Sequence, residues 1–260
     1  MSEVETMSDS EKYAKPEKSR YGKYLFCYFV GNEPEQERIH FAVSRDGYNF
    51  SALNGNREII VQTLGTKCVR DPFILRANDG YFYIIATDMK CTDGWTSNHA
   101  LISWKSADLV SWTDETVIDI RDFGGRFATT TRAWAPQAIF DKDEKKYMVY
   151  WAHTDAENDV AAMYYAYTTD FKALSEPHLL YERRGIQTID ADIIYNEKNK
   201  KYYMYFKHDE DQKIAFVTSD CLTGPYRDEP ETVYLAETGV EGSCMYNING
   251  TDTWVLIMDE

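Results

Sequence analysis

The chain has 260 residues, enough for one large domain or two small ones. Its balance is globular, 43% hydrophobic and 27% charged, with aromatics at 15% that include 20 Tyr and 6 Trp. A formal net charge of −15 argues against nucleic acid and anionic membranes as partners and leaves a neutral ligand such as a carbohydrate acceptable.

In chain order, residues 1–21 are polar and lack the apolar stretch of a secretory signal. They are expected to form a disordered tail ahead of a domain spanning 22–260. No run of about 18 apolar residues is present, so no membrane span is expected. The cysteines, Cys27, Cys68, Cys91, Cys221 and Cys244, are scattered and form no CxxC pair. They are expected to be buried free thiols, which fits a reducing, cytoplasmic location.

From Tyr24 onward the chain reads as short strands without helical periodicity. Apolar strands YLFCYFV (24–30), YFYIIATD (81–88), YMVYWAH (147–153) and YYMYFKH (202–208) are each followed by an alternating one: RIHFAVS, HALISWKS, MYYAYTT and KIAFVTS. Similar tails then close each unit: SRDGYNF from Ser44, SADLVSW from Ser106, TTDFKAL from Thr168, and SDCLTGPY from Ser219. Their starts are spaced by 62, 62 and 51 residues. Each tail supplies turn chemistry and an aromatic or Leu to pack between neighbouring sheets. A small antiparallel sheet repeated at this period, unable to bury both faces alone, predicts a radial β-propeller rather than a two-sheet sandwich.

The innermost strand of each blade lines a propeller's channel. Those strands begin CVRDPFIL, RAWAPQAIF, IDADIIY and VEGSCMY, with Asp71, Trp134, Asp190 and Glu241 at spacings of 63, 56 and 51. Three carboxylates are therefore expected to project into one axial pocket. Pro72 is expected at the first position of its strand, where no ladder donor is needed. On strand parity Asp190 and Asp192 face the same side, so spacing does not choose between them.

The ordered set RDPFI, WAPQAIFD, IDADIIYNEKNKKYYMYFK and VEGSCMY resembles glycoside hydrolase family 43, the five-bladed propeller arabinofuranosidases, xylosidases and arabinanases. The likeness runs from about Tyr24 to the last residue. It implies inverting hydrolysis of arabinose- or xylose-containing plant poly- or oligosaccharides. Asp71 matches the family's general base, Asp190 the aspartate that orients the acid and tunes its pKa, and Glu241 the general acid. Ala191 stands where the family usually has proline after that second aspartate. The chemistry itself wants this set: one carboxylate activates water while a second, roughly 6.5–9.5 Å away, protonates the leaving oxygen. An axial metal ion such as calcium is compatible with the resemblance, but no residue is assigned to it and no cofactor is required.

Further substrate contacts are expected from Trp134, stacking on the sugar, and from Trp151, His153 and Lys207 at the ends of second strands, with His208 beside the last. Asp88 and Arg132 are also expected to contact substrate, flanking the inner strands with Arg70, while His40, His99 and His178 read as structural or exposed. Family members continue beyond the strand pair 240–260. Strands 24–44 are therefore expected to be outer parts of a fifth blade that is incomplete in this chain. Two other readings stay open: a retaining fructan or sucrose hydrolase, which shares the RDP motif but needs an upstream NDPNG-type aspartate not seen here, and a non-catalytic carbohydrate-binding or interaction propeller.

Overall fold

The computed structural model describes residues 23–208, 213–228 and 239–259; the expected tail at 1–21 lies outside them. The described residues form five antiparallel sheets in chain order. The first holds β1 (Tyr24–Tyr28), β2 (His40–Ser44) and β3 (Ser51–Ala52). Four-stranded blades follow: β4 (Val69–Arg76), β5 (Phe82–Asp88), β6 (Ala100–Ser106) and β7 (Trp112–Asp119); then β8 (Thr130–Asp141), β9 (Lys146–Asp155), β10 (Asn158–Thr168) and β11 (His178–Tyr181). The last of the three holds β12 (Thr188–Asn196), β13 (Lys201–His208), β14 (Lys213–Ser219) and β15 (Arg227–Asp228), and the pair β16 (Glu241–Asn247) and β17 (Trp254–Asp259) closes the series. Strands within each sheet pair in sequence order, as successive hairpins do. The outer strands β7, β11 and β15 are an addition to the three-stranded units read from sequence.

The architecture is an all-β propeller, because the apolar clusters lie between successive sheets rather than inside one sandwich. β5 shows how: Tyr83 and Ile85 point into the cluster shared with the β8–β11 blade, while Ile84 and Ala86 point into the cluster shared with β1–β3. β9 repeats this one blade on, with Tyr147, Val149 and Trp151 on one face and Met148, Tyr150 and Ala152 on the other. Second strands are thus buried on both faces, which is why they read as near-continuous apolar runs. Each large side chain buried in this way contributes roughly 1.5–3 kcal/mol. The last sheet touches the first: the Tyr246 ring lies 5.8 Å from Tyr24, whose hydroxyl accepts from the Asn249 amide at 2.6 Å, and the Tyr246 hydroxyl donates to the Gly47 carbonyl.

The repeated tails are local hydrogen-bonded turns. Ser106 Oγ accepts from the amides of Asp108 (3.2 Å) and Leu109 (2.9 Å), and Asp108 Oδ1 accepts from Val110 and Ser111. Ser44 with Asp46, and Thr168 with Asp170, make the same pattern. The aromatic of a tail does pack between sheets: Phe171 stacks on Tyr83 at 4.7 Å, and its carbonyl accepts from Ser103 Oγ at 2.6 Å. All five cysteines are free, but only Cys27 and Cys68 are buried; Cys91 and Cys244 are intermediate and Cys221 is exposed, which corrects the expectation of a buried set. Removing the buried Ser106 hydroxyl in Ser106→Ala leaves two amides short of an acceptor. It should cost about 1 kcal/mol of stability, read as a lower urea midpoint at unchanged m-value.

Candidate active site

Every inner strand carries the same irregularity. Pairing shifts between Arg70 and Phe73 in β4, Trp134 and Gln137 in β8, Ile189 and Asp192 in β12, and Glu241 and Cys244 in β16. At each shift one residue has positive φ: Asp71 (49°), Ala135 (47°), Asp190 (55°) and Gly242 (65°). These are β-bulges, which re-aim the side chains around them. The left-handed conformation costs a non-glycine residue roughly 1–2 kcal/mol, a strain that Gly242 escapes. Pro72 lies inside this bulge, three residues into β4, and not at the strand's first position; the irregular pairing there spares it from supplying a ladder donor.

The bulges break the parity on which Asp190 and Asp192 look equivalent. Asp190 faces a cavity of about 360 Å³, while Asp192 turns away and accepts from the Met245 amide at 2.5 Å, tying β12 to β16. Asp71 and Glu241 line the same cavity as Asp190, so the three carboxylates from distant chain segments share one hole. Arg70, Arg132, Trp134 and Lys207 line it as well. Met89, Trp95, Gln187 and Ile189 complete the wall; none of these four was singled out from sequence. Trp95 gives no periodic signal because it sits in the loop after β5, whereas Gln187 and Ile189 immediately precede the Asp190 motif and were within reach.

Three expected contacts lie elsewhere. Trp151 is fully buried in the cluster between the second and third sheets. His153 is buried with its ring against Phe127 (5.2 Å) and Tyr164 (5.0 Å). Asp88 is a loop clamp: its Oδ1 accepts from Gln62 Nε2, the Thr66 amide and Thr66 Oγ1 at 2.8–2.9 Å. Gly65 is required beside it, since a Cβ there would meet the Asp88 carboxylate at 2.1 Å. His208 and His40 are buried, His99 sits 3.2 Å from Asp119, and His178 is exposed.

The carboxylates differ in their surroundings. Asp190 is pushed up to about 8, first by burial and then by the charges of Asp71 and Glu241, against the opposing Gly242 amide (3.3 Å) and Lys207. It therefore holds a proton at neutral pH. Burial also raises Asp71, opposed by the Arg70 guanidinium and a hydrogen bond from Thr87 Oγ1 at 3.0 Å. Glu241, half-exposed, accepts from Lys207 Nζ at 2.6 Å. Asp259, directly opposite Glu241 in the β16–β17 pair, is a fourth carboxyl at the rim, raised by burial and by Glu241.

Aromatic and cationic groups alternate along the wall. Arg70 lies over Phe29 (4.5 Å) and near Trp95 (5.2 Å), and Trp95 meets Trp134 edge-on at 6.1 Å. Arg132 in turn lies over Trp134 at 4.8 Å and donates to Gln187 Oε1 at 3.2 Å. Arg70 is pinned from behind by the buried Glu37 (3.3 Å) and by Asn32 (2.7 Å). Among the described residues no group of three or more His, Cys, Asp or Glu is spaced to hold a metal ion, so no axial calcium is assigned to this set.

A family model described as "Probable glycosyl hydrolase domain", of the glycosyl hydrolase 43-related type, matches residues 19–260. The chain belongs to this family 43-related group. It is 29% identical over 234 residues to an α-L-arabinofuranosidase of Bifidobacterium longum subsp. longum, in a match that covers 80% of this chain and 21% of that protein. Among solved structures it resembles a xylan β-1,4-xylosidase from Bacillus halodurans (TM-score 0.69, 14% identity, 90% of this chain and 46% of that one). It also resembles an endo-arabinase from Bacteroides thetaiotaomicron (TM-score 0.66, 14% identity, 91% and 88%). At these identities the structural likeness bears on fold. The chain spans about a fifth of the arabinofuranosidase and just under half of the xylosidase.

In this family 43-related domain Asp192 offers a test of the pairing between β12 and β16. Burial pushes its carboxyl up to about 7. Between the ordinary carboxylate range and pH 7 the native state holds a proton that the unfolded chain has released, so this group's contribution to stability declines as pH rises through that window. Asn keeps the acceptor for Met245 without the charge. Asp192→Asn should lose less stability than the parent between pH 5 and 8 in chemical unfolding; an equal decline refutes the assignment. Asp190 adds a decline of the same sign up to about pH 8, so the slope is reduced rather than abolished.

Proposed function

We propose that this domain is an inverting glycoside hydrolase acting on arabinose- or xylose-containing poly- or oligosaccharides, as an α-L-arabinofuranosidase or β-xylosidase. The observation that carries this reading is the convergence of Asp71, Asp190 and Glu241 on one cavity. We further infer a five-bladed ring, with β1–β3 and β16–β17 as parts of two blades beside the three four-stranded ones; their mutual contact through Tyr24 and Tyr246 supports it.

In this reading Asp71 is the general base. Thr87 bonds one of its oxygens, and the other takes a proton from the attacking water. Glu241 is the general acid that protonates the leaving oxygen. Its ion pair with Lys207 belongs to the deprotonated form left after that transfer, and half-exposure lets solvent or the neighbouring Asp190 return the proton. Asp190 sets the charge of the cluster: kept neutral, it avoids a third negative charge beside the other two. The Arg70–Trp95–Trp134–Arg132 wall supplies flat faces for sugar C–H groups and donors for hydroxyls.

Asp71→Asn and Glu241→Gln should each lower kcat/KM by about 10²–10⁴ on nitrophenyl arabinofuranoside or xyloside, with the fold kept by circular dichroism. The loss in Glu241→Gln should shrink with an activated leaving group such as dinitrophenolate, and the loss in Asp71→Asn should not. Product released with inverted anomeric configuration, followed by proton NMR, supports the reading; retention supports the fructan-hydrolase alternative, no turnover by the parent leaves the binding propeller, and full activity in both variants overturns the roles of Asp71 and Glu241. Lys207→Met removes the donor 2.6 Å from Glu241, so kcat/KM should fall about tenfold with the fold kept by circular dichroism. Unchanged kcat/KM separates Lys207 from the acid.

A further inference from the structure

The second strand of each blade places one residue opposite the residue just before the bulge. These residues are Thr87 facing Arg70, Ala152 facing Trp134, Lys207 facing Ile189, and Asp259 facing Glu241. Lys207 reaches Glu241 from this position. Thr87 reaches Asp71, and it is fully buried with its hydroxyl committed in a defined direction.

A hydroxyl has one proton and two lone pairs. The Ala135 amide donates to Thr87 Oγ1 at 2.8 Å, so the hydroxyl's own proton is free for Asp71 Oδ2 at 3.0 Å. That amide belongs to the bulge residue of the next blade, the counterpart of Asp71 itself. A bulge without a carboxylate thereby serves one that has it. Hydrogen bonding from Thr87 is satisfied by the ionised form of Asp71 and fixes which of its oxygens is free.

We propose that Thr87 is a positioning residue for Asp71, holding its carboxylate ionised and in one orientation through a relay that begins at the Ala135 amide. This rests on the reading of Asp71 as the general base. The charged and titratable groups that face Asp71 are Arg70 on its own strand, Asp190 on β12, Glu241 on β16 and Asp259 on β17, with Lys207 of β13 bonded to Glu241 and Arg132 of β8 on the cavity wall. Arg70 supports the ionised form, while burial and the charges of Glu241 and Asp259 oppose it. The neutral donor from Thr87 therefore acts where the charges partly offset one another.

The test compares Thr87→Val and Thr87→Ala with Thr87→Ser and Asp71→Asn, using the pH profile of kcat/KM on nitrophenyl arabinofuranoside. Loss of the hydroxyl should move the acid limb up by about one pH unit, a tenfold loss of kcat/KM on that limb, with KM little changed. Thr87→Ser should keep the parent profile, which a merely space-filling role would not require. Thr87→Ala serves where the branched variant does not fold. Carbon-13 NMR titration of the Asp71 carboxyl, assigned as the signal missing in Asp71→Asn, reads the same shift without turnover. A parent-like acid limb and titration in Thr87→Ala, with Asp71→Asn inactive, overturns the role of Thr87 and leaves the base in place. Full activity in Asp71→Asn overturns the base, and the NMR titration alone then decides whether Thr87 holds the carboxylate.

Discussion

A left-handed residue at the same point of each inner strand is the constraint from which the site follows. The bulges at Asp71, Ala135, Asp190 and Gly242 divide the wall into two tiers. Arg70, Trp134, Ile189 and Glu241 stand just before the bulge, and Asp71, Ala135, Asp190 and Gly242 stand on it. The proposed base and the charge-setting aspartate occupy one tier and the proposed acid the other. A flat strand would present alternate residues only; the bulge lets two consecutive positions reach the same cavity. The strain of three non-glycine residues in this conformation, roughly 1–2 kcal/mol each, is sustained by the apolar clusters between sheets.

Electrostatics then sort the carboxyls by depth. Asp190 is taken out of water beside two other acids and keeps its proton, while Glu241 stands half in solvent with a lysine against it. Burial makes the shared cavity intolerant of a full set of negative charges, and the raised carboxyl of Asp190 answers that constraint. Arg70 does not simply neutralise that cluster. Its charge is balanced from behind by the buried Glu37, which fixes the guanidinium between Phe29 and Trp95. It therefore acts as much through shape as through charge.

Much of this was legible from residues alone. Second strands buried on both faces leave continuous apolar runs, and tails closed by Ser or Thr with Asp leave a countable period, so the blades could be read in order. The motifs around Asp71, Asp190 and Glu241 marked the inner strands. What the sequence hides is the bulge. Parity makes Asp190 and Asp192 equal, yet a single extra residue sends one into the cavity and the other to the Met245 amide. The same device explains why Pro72 is tolerated inside a strand instead of at its edge.

Apart from Trp151, the polar strand-end residues that lie outside the cavity share one register. Asp88, His153 and His208 hold the same position on β5, β9 and β13, opposite Val69, Ala133 and Thr188, and all three are buried away from the cavity. The neighbouring position carries Thr87, which bonds Asp71, Lys207, which lines the cavity, and the apolar Ala152, which stays in the core. A polar residue at the end of an apolar strand is therefore ambiguous by one place, and in a sheet one place is the difference between core and cavity. The pairing with the inner strand resolves it: the residue that matters is the one facing the position before the bulge. By that rule Asp259, facing Glu241, is the last member of the set, and the Glu241 charge adds to burial in raising its carboxyl.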